Sequence, residues 1–262
     1  MTGVKNSEIM YLENAQKLLL RIKETDYVSS ELKSVFCEIS NKHKANGGYL
    51  EYAYLEHFLE ESLDISLLFQ HLFTNEGTRR FLAIPNRMMF ETILKVEYLI
   101  RVKNEGDDNV ILSLLSKDMA AMMSSLDEAV GNSENNQAKS TLIKMNIANK
   151  ILKTDFDLDK IKPNTKTFPN IKDLCERSHI CIKDYCGERL WHYYVMWSWD
   201  NHSRIGSKFM MKDNSDYLTN NQAECFIEMY LKNLRLLSIH SGSTKLQESI
   251  QSTMLEIGLK LA

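Results

Sequence analysis

The chain has 262 residues, of which 44% are hydrophobic and 26% are charged, and this balance excludes wholesale disorder. Its formal net charge of −3 excludes the strongly basic surface of a protein that coats nucleic acid. It contains 10 glycines and 3 prolines, and this scarcity disfavours sandwiches, barrels and Rossmann sheets, which place these residues at their many turns. A fold of few, long helices is therefore predicted.

Apolar residues recur at helical spacing through the first part of the chain. The predicted helices run from Ser7, from Ser29 or Ser30 to Asn46, from Tyr49 to about Thr74, from Pro85 to about Lys103, from Asp107 or Asp108 to near Gly131, and from Ser133 to about Leu152. Residues 153–170 contain two of the three prolines and no sustained period, so an irregular connection is predicted there.

The remainder is predicted as a helix from Ile171 to about His202, interrupted near Gly187, and then a polar loop at residues 206–219. A helix from Gln222 to His240, capped by Asn220, and a last helix after Ser243 complete the pattern. The sequence as a whole predicts an all-α fold, in which residues 1–262 form a single bundle-like domain of about eight to ten helices.

Signals for export and for membrane insertion are absent from the sequence. No basic start followed by an apolar core opens the chain, and no apolar run approaches the roughly 20 residues that span a bilayer. The 5 cysteines are an odd number, which is more typical of a reducing compartment than of a disulfide framework. We therefore expect a cytoplasmic location and no membrane association.

Common cofactor and metal motifs are also absent, so no cofactor and no metal are predicted. Cys175, His179 and Cys186 would share one stripe of a continuous helix, with Cys181 nearby. However, the end ligands of that stripe would lie about 16 Å apart, too far for one zinc ion. These residues are interpreted as small packed side chains.

Four polar residues occupy positions where the helical pattern predicts burial. Arg87 and Glu91 lie one turn apart on a helix that is apolar on most sides. Ser198 and His202 lie one turn apart on the face that also carries Val195. Because an unpaired buried charge is costly, we expect the two helices to pack so that these four residues satisfy one another.

This cluster has two interpretations. It can fix the register of two helices without any reaction. Alternatively, a histidine beside an arginine and a carboxylate can perform acid–base catalysis or bind an anion, which makes Arg87, Glu91, Ser198 and His202 the candidate catalytic residues. A serine nucleophile activated by His202 is disfavoured because nothing in the sequence supplies an oxyanion hole.

The two segments resemble a bacterial all-helical family known as domain of unknown function 5677. The resemblance is carried by R-x-x-x-E at Arg87 and Glu91 and by Y-x-x-x-S-x-x-x-H at Tyr194, Ser198 and His202. It covers roughly residues 50 to 240, and it implies a helical fold with a polar cluster rather than a particular reaction.

A more distant resemblance is to HEPN-type helical ribonucleases, which are common in bacterial toxin and antiphage systems. The residues that carry it are Arg235 and His240, which match the R-x(4–6)-H spacing, although Leu236 departs from the usual polar residue. The resemblance implies metal-independent cleavage of RNA across a dimer interface. In such a reaction a histidine transfers the proton and an arginine stabilises the phosphate charge.

These observations leave three classes of function. The first, which we favour, is a regulatory or defence-associated interaction protein that binds a protein partner or forms a homodimer. Met119, Met122 and Met123 and the loop 206–219 are its candidate contact regions, although such a group of methionines is more typical of core packing. The alternative is the metal-independent ribonuclease, whose partner would be RNA. The third is a small-molecule binder with a cavity lined by Trp191, Trp197 and Trp199.

Overall fold

The computed structural model describes residues 30–39, 41, 49–105, 169–180, 194–198 and 215–256, together with Lys17, Leu20 and Lys23. The helices are α1 (30–39), α2 (Tyr49–Thr74), α3 (Ala83–Asn104), α4 (Ile171–Arg177), α5 (194–198), α6 (Ser215–Ser241) and α7 (Thr244–Glu256). A short 3-10 helix, Glu76–Phe81, joins α2 to α3. No strand occurs within these ranges, so the predicted all-α fold is confirmed.

The core forms where α2, α3 and α6 pack against one another, with α7 on α6 and α4 on α3. Phe69 of α2 and Phe226 of α6 stack with ring centroids 4.0 Å apart, and both side chains are fully buried. One buried polar contact accompanies this stack, since the Asn233 side-chain amide donates to Ser62 Oγ at 2.7 Å. The three long helices therefore provide the frame on which the shorter segments lie.

The boundaries of α2 are those predicted, and α3 extends the predicted helix by only a few residues. The prediction of a helix from Ile171 to an interruption near Gly187 is wrong, because α4 ends at Arg177. The helix predicted from Gln222 begins at Ser215, so residues 215–219 of the predicted loop are helical. That stretch has no glycine or proline to oppose the extension of a helix anchored in the core.

Several predictions fall on other parts of the chain. The helices predicted at residues 107–131 and 133–152, the connection 153–168 and residues 206–214 of the polar loop lie outside the described residues. The division into a single domain stays a prediction for the same reason. None of the helices in the described ranges combines the length and the apolar character needed to cross a lipid bilayer.

Candidate functional site

The first half of α3 presents a charged pair at its surface. The helix begins two residues before Pro85, whose fixed φ suits the first turn, and places Arg87 and Glu91 one turn apart. Arg87 Nε donates to Glu91 Oε1 at 3.0 Å, and the two side chains are 28% and 26% exposed. The pair is therefore half-buried at the edge of the fold and remains accessible to solvent.

Tyr194 of α5 completes this cluster. Arg87 Nη2 donates to the Tyr194 hydroxyl at 3.0 Å, and the Arg87 guanidinium carbon lies 5.0 Å from the centre of the Tyr194 ring. At that distance the guanidinium also gains cation–π attraction. Arg87 thus joins two helices that are far apart in the sequence.

The charge state of Arg87 follows from these contacts. Partial burial lowers its pKa, but the hydrogen bond to Glu91 and the nearby Tyr194 oxygen outweigh burial and raise the pKa above its ordinary value. The guanidinium therefore stays protonated, and Glu91 largely neutralises it.

Apolar contacts beside the cluster confirm the predicted packing of the two segments. Trp197 is buried and meets Phe90 of α3 edge to face, with ring centroids 5.6 Å apart. Phe90 also lies beside the Tyr194 ring, at a centroid distance of 6.3 Å. The buried side of α5 is thus marked by Trp197, which was not among the residues predicted to face inward, whereas Val195, which was, is only half-buried.

The four predicted site residues have different outcomes. Arg87 and Glu91 are paired as expected, and His202 lies outside the described residues. Ser198 Oγ is buried and has no hydrogen-bond partner in the described part of the chain, so the expected bond from Ser198 to the cluster is not found. Tyr194, one turn earlier on α5, occupies the place beside Arg87 instead.

A second polar contact on α3 explains why α4 ends early. Glu97 accepts hydrogen bonds from Ser178 Oγ and from the His179 backbone N–H, both at 2.6 Å. Arg101 donates to the Arg177 carbonyl oxygen at 2.7 Å. Glu97 and Arg101 thus provide hydrogen-bond partners for the His179 N–H and the Arg177 carbonyl oxygen, which a longer helix would pair with its own backbone. The chain can therefore leave the helical conformation at Ser178.

The continuous helix that would align Cys175, His179 and Cys186 ends at Arg177, before His179. Cys181 and Cys186 lie outside the described residues, and no group of three metal-ligating side chains occurs within those residues. Burial raises the pKa of the Cys175 thiol to about 12.

The pair considered for ribonuclease activity lies on α6. Arg235 and His240 are both half-buried and lie five positions apart on one helix, which corresponds to a rotation of about 140°. Within one chain they therefore project in different directions.

Apolar side chains are exposed along the outer side of α3 and on the turn before it. Phe81 is 41% exposed, and Ile84 and Met88, one helical turn apart, are 38% and 39% exposed. Arg80 lies over the Phe81 ring, 4.7 Å from its centre. We call these four residues the Phe81 surface.

Sequence reasoning missed Tyr194 as the partner of Arg87 and the roles of Glu97 and Arg101. Tyr194 was available in the Y-x-x-x-S-x-x-x-H pattern, which places it one turn before Ser198. The Glu97 contacts had no such signal, because a glutamate on an amphipathic helix usually faces solvent.

No protein-family model, curated protein or solved structure matches this chain. The resemblances to domain of unknown function 5677 and to the HEPN ribonucleases stay predictions.

Proposed function

We propose that this protein is an intracellular interaction protein whose Phe81 surface binds another polypeptide. The observation that carries the proposal is the row of exposed Phe81, Ile84 and Met88 beside Arg80. Aromatic residues, methionine and arginine are enriched at protein interfaces, and rows of exposed apolar side chains typically mark them. The partner that fits has an apolar anchor flanked by acidic residues, which complement Arg80.

The polar cluster supports this surface. Arg87 is neutralised by Glu91 and bonded to Tyr194, so its main role in the proposal is to fix α5 against α3. The cluster lies on the same half of α3 as Ile84 and Met88, so it fixes α5 against the part of α3 that carries these two side chains. A regulatory or defence-associated role for the complex rests on the family resemblance alone.

The proposal is tested by photo-crosslinking in cells that produce the protein. A photoreactive amino acid replaces Met88, and in the matched control it replaces Gln251, an exposed residue of α7. We expect one discrete cross-linked species from position 88, lost when Ile84→Asp is added, and none from position 251. The same products from both positions, or none from position 88, would overturn the proposal.

A metal-independent ribonuclease is the second candidate. It is favoured by the partial exposure of Arg87, which has N–H groups beyond those bonded to Glu91 and Tyr194 and could offer them to a phosphate. If this candidate is right, the purified protein degrades total cellular RNA without added metal, and His202→Ala stops the cleavage with little change in Tm. Intact RNA after incubation with the wild-type protein would eliminate it.

A further inference from the structure

The chain itself carries a surface with the chemistry that a partner of the Phe81 surface requires. We propose that the Phe81 surface binds a second copy of the protein, through an acidic surface on α2 made of Glu60, Asp64, Leu67 and Leu68. This inference rests on the proposed function, because it names the occupant of the same surface.

The acidic surface combines exposed carboxylates with exposed leucines. Glu60, Asp64 and Leu67 follow one another at spacings of four and three residues, so they lie along one side of α2. Leu67 and Leu68 are both exposed. The surface therefore offers the apolar anchor and the acidic flank that the Phe81 surface requires.

The environment of Lys33 on α1 shows that several carboxylates of α2 are close enough to interact with the same lysine. Lys33 Nζ pairs with Glu60 at 2.5 Å, and its pKa is raised by that hydrogen bond and by the charges of Glu56, Glu60 and Asp64. Within the described ranges Lys33 faces three carboxylates, and these residues together give this side of α2 a negative charge. Asp64, next to the leucines, is exposed at the end of the acidic row.

The two surfaces lie toward the same end of the α2–α3 pair. These helices pack together and are joined by the short 3-10 helix, so they run antiparallel. Leu68 and Asp64 are about 9 Å and about 15 Å from the end of α2, and Met88 is about 8 Å from the start of α3, at 1.5 Å per residue. In a two-fold dimer each copy can then place its Phe81 surface on the acidic surface of the other, which closes the assembly.

The test is an exchange of charges between the two surfaces, followed by sedimentation equilibrium of the full chain. We expect the wild-type protein to dimerise in the micromolar range, about the affinity of small reversible interfaces. Arg80→Glu alone and Asp64→Arg alone should each weaken the dimer about tenfold or more, because each variant brings like charges together. The double variant, in which the charges are exchanged, should regain dimerisation.

A mixture of the two single variants gives the sharpest outcome. The glutamate introduced at position 80 of one variant meets the arginine introduced at position 64 of the other, and the remaining pair is native. The mixture should therefore dimerise more tightly than either variant alone. Raising the salt from about 0.1 M to about 1 M should weaken the wild-type dimer, since the Debye length falls from about 10 Å to about 3 Å. Both substituted residues are exposed, so far-UV circular dichroism should show the same helical content for both variants and confirm that they are folded.

A monomeric wild-type protein at high micromolar concentration would overturn the inference, as would a dimer that is indifferent to Arg80→Glu and Asp64→Arg. Either result leaves the proposed function standing if position 88 still cross-links, under Ile84 control, to a different protein. Absence of any species cross-linked from position 88 would instead overturn the proposed function itself.

Discussion

The contact between Arg87 and Tyr194 provides the most direct measure of what the polar cluster does. Arg87→Met removes an ion pair that is about a quarter exposed, a charged hydrogen bond at 3.0 Å and a cation–π contact. These are worth roughly 0.4, 1 and 0.5 kcal/mol, so we expect a loss of about 2 kcal/mol in the free energy of unfolding. Tyr194→Phe keeps the ring and removes the hydroxyl, which should cost about 1 kcal/mol.

Urea denaturation of wild type, both single variants and the double variant forms a double-mutant cycle. If the cluster joins α3 to α5, the coupling free energy between Arg87 and Tyr194 is about 1 kcal/mol. The control is Lys172→Met, an exposed cation of α4, which should change stability by less than about 0.5 kcal/mol and show no coupling to Tyr194→Phe. A coupling below about 0.3 kcal/mol would refute the packing role.

Further predictions concern the core. Phe226→Ala removes a fully buried ring stacked on Phe69 and should lower the free energy of unfolding by about 3–5 kcal/mol in urea titrations; a loss under about 1 kcal/mol would contradict the core assignment. Ser62→Ala removes the 2.7 Å acceptor of the buried Asn233 amide and should cost about 1–3 kcal/mol in thermal melts, most of which Asn233→Leu should restore; a double variant no more stable than Ser62→Ala would argue against this. Burial raises the pKa of the Cys225 thiol from 9.0 to about 12, so the neutral thiol stabilises the fold fully below about pH 9, and that contribution is lost as the pH rises toward 12. Unfolding measured at several alkaline pH values should therefore show the wild-type advantage over Cys225→Ala shrinking, and a constant advantage would contradict the burial.

The long helices could be predicted from the sequence because their signals are local. The glycine pair Gly47 and Gly48 precedes α2, and apolar residues recur at helical spacing as far as Thr74, so both bounds were recovered. The end of α4 could not be predicted in this way. Its position depends on Glu97 and Arg101, which are some eighty residues away in the sequence and act only once α3 is in place.

The candidate site likewise has a part that local sequence signals predict and a part that depends on tertiary packing. Arg87 and Glu91 were predictable because charges at i and i+4 on an apolar helix require partners, and the nearest partner is on the same helix. Whether Tyr194 or Ser198 contacts Arg87 depends on how α5 is rotated about its axis relative to α3. That rotation is set by the burial of Trp197 against Phe90, which periodicity over a five-residue helix does not reveal.

Helix α3 anchors the chain twice, at Arg177–His179 through Glu97 and Arg101 and at Tyr194 through Arg87. The separation of those anchors is therefore a property of α3 alone, about 15 Å from position 87 to position 97. A kink between these positions would move one anchor relative to the other, so the docking of both segments depends on an unbroken α3.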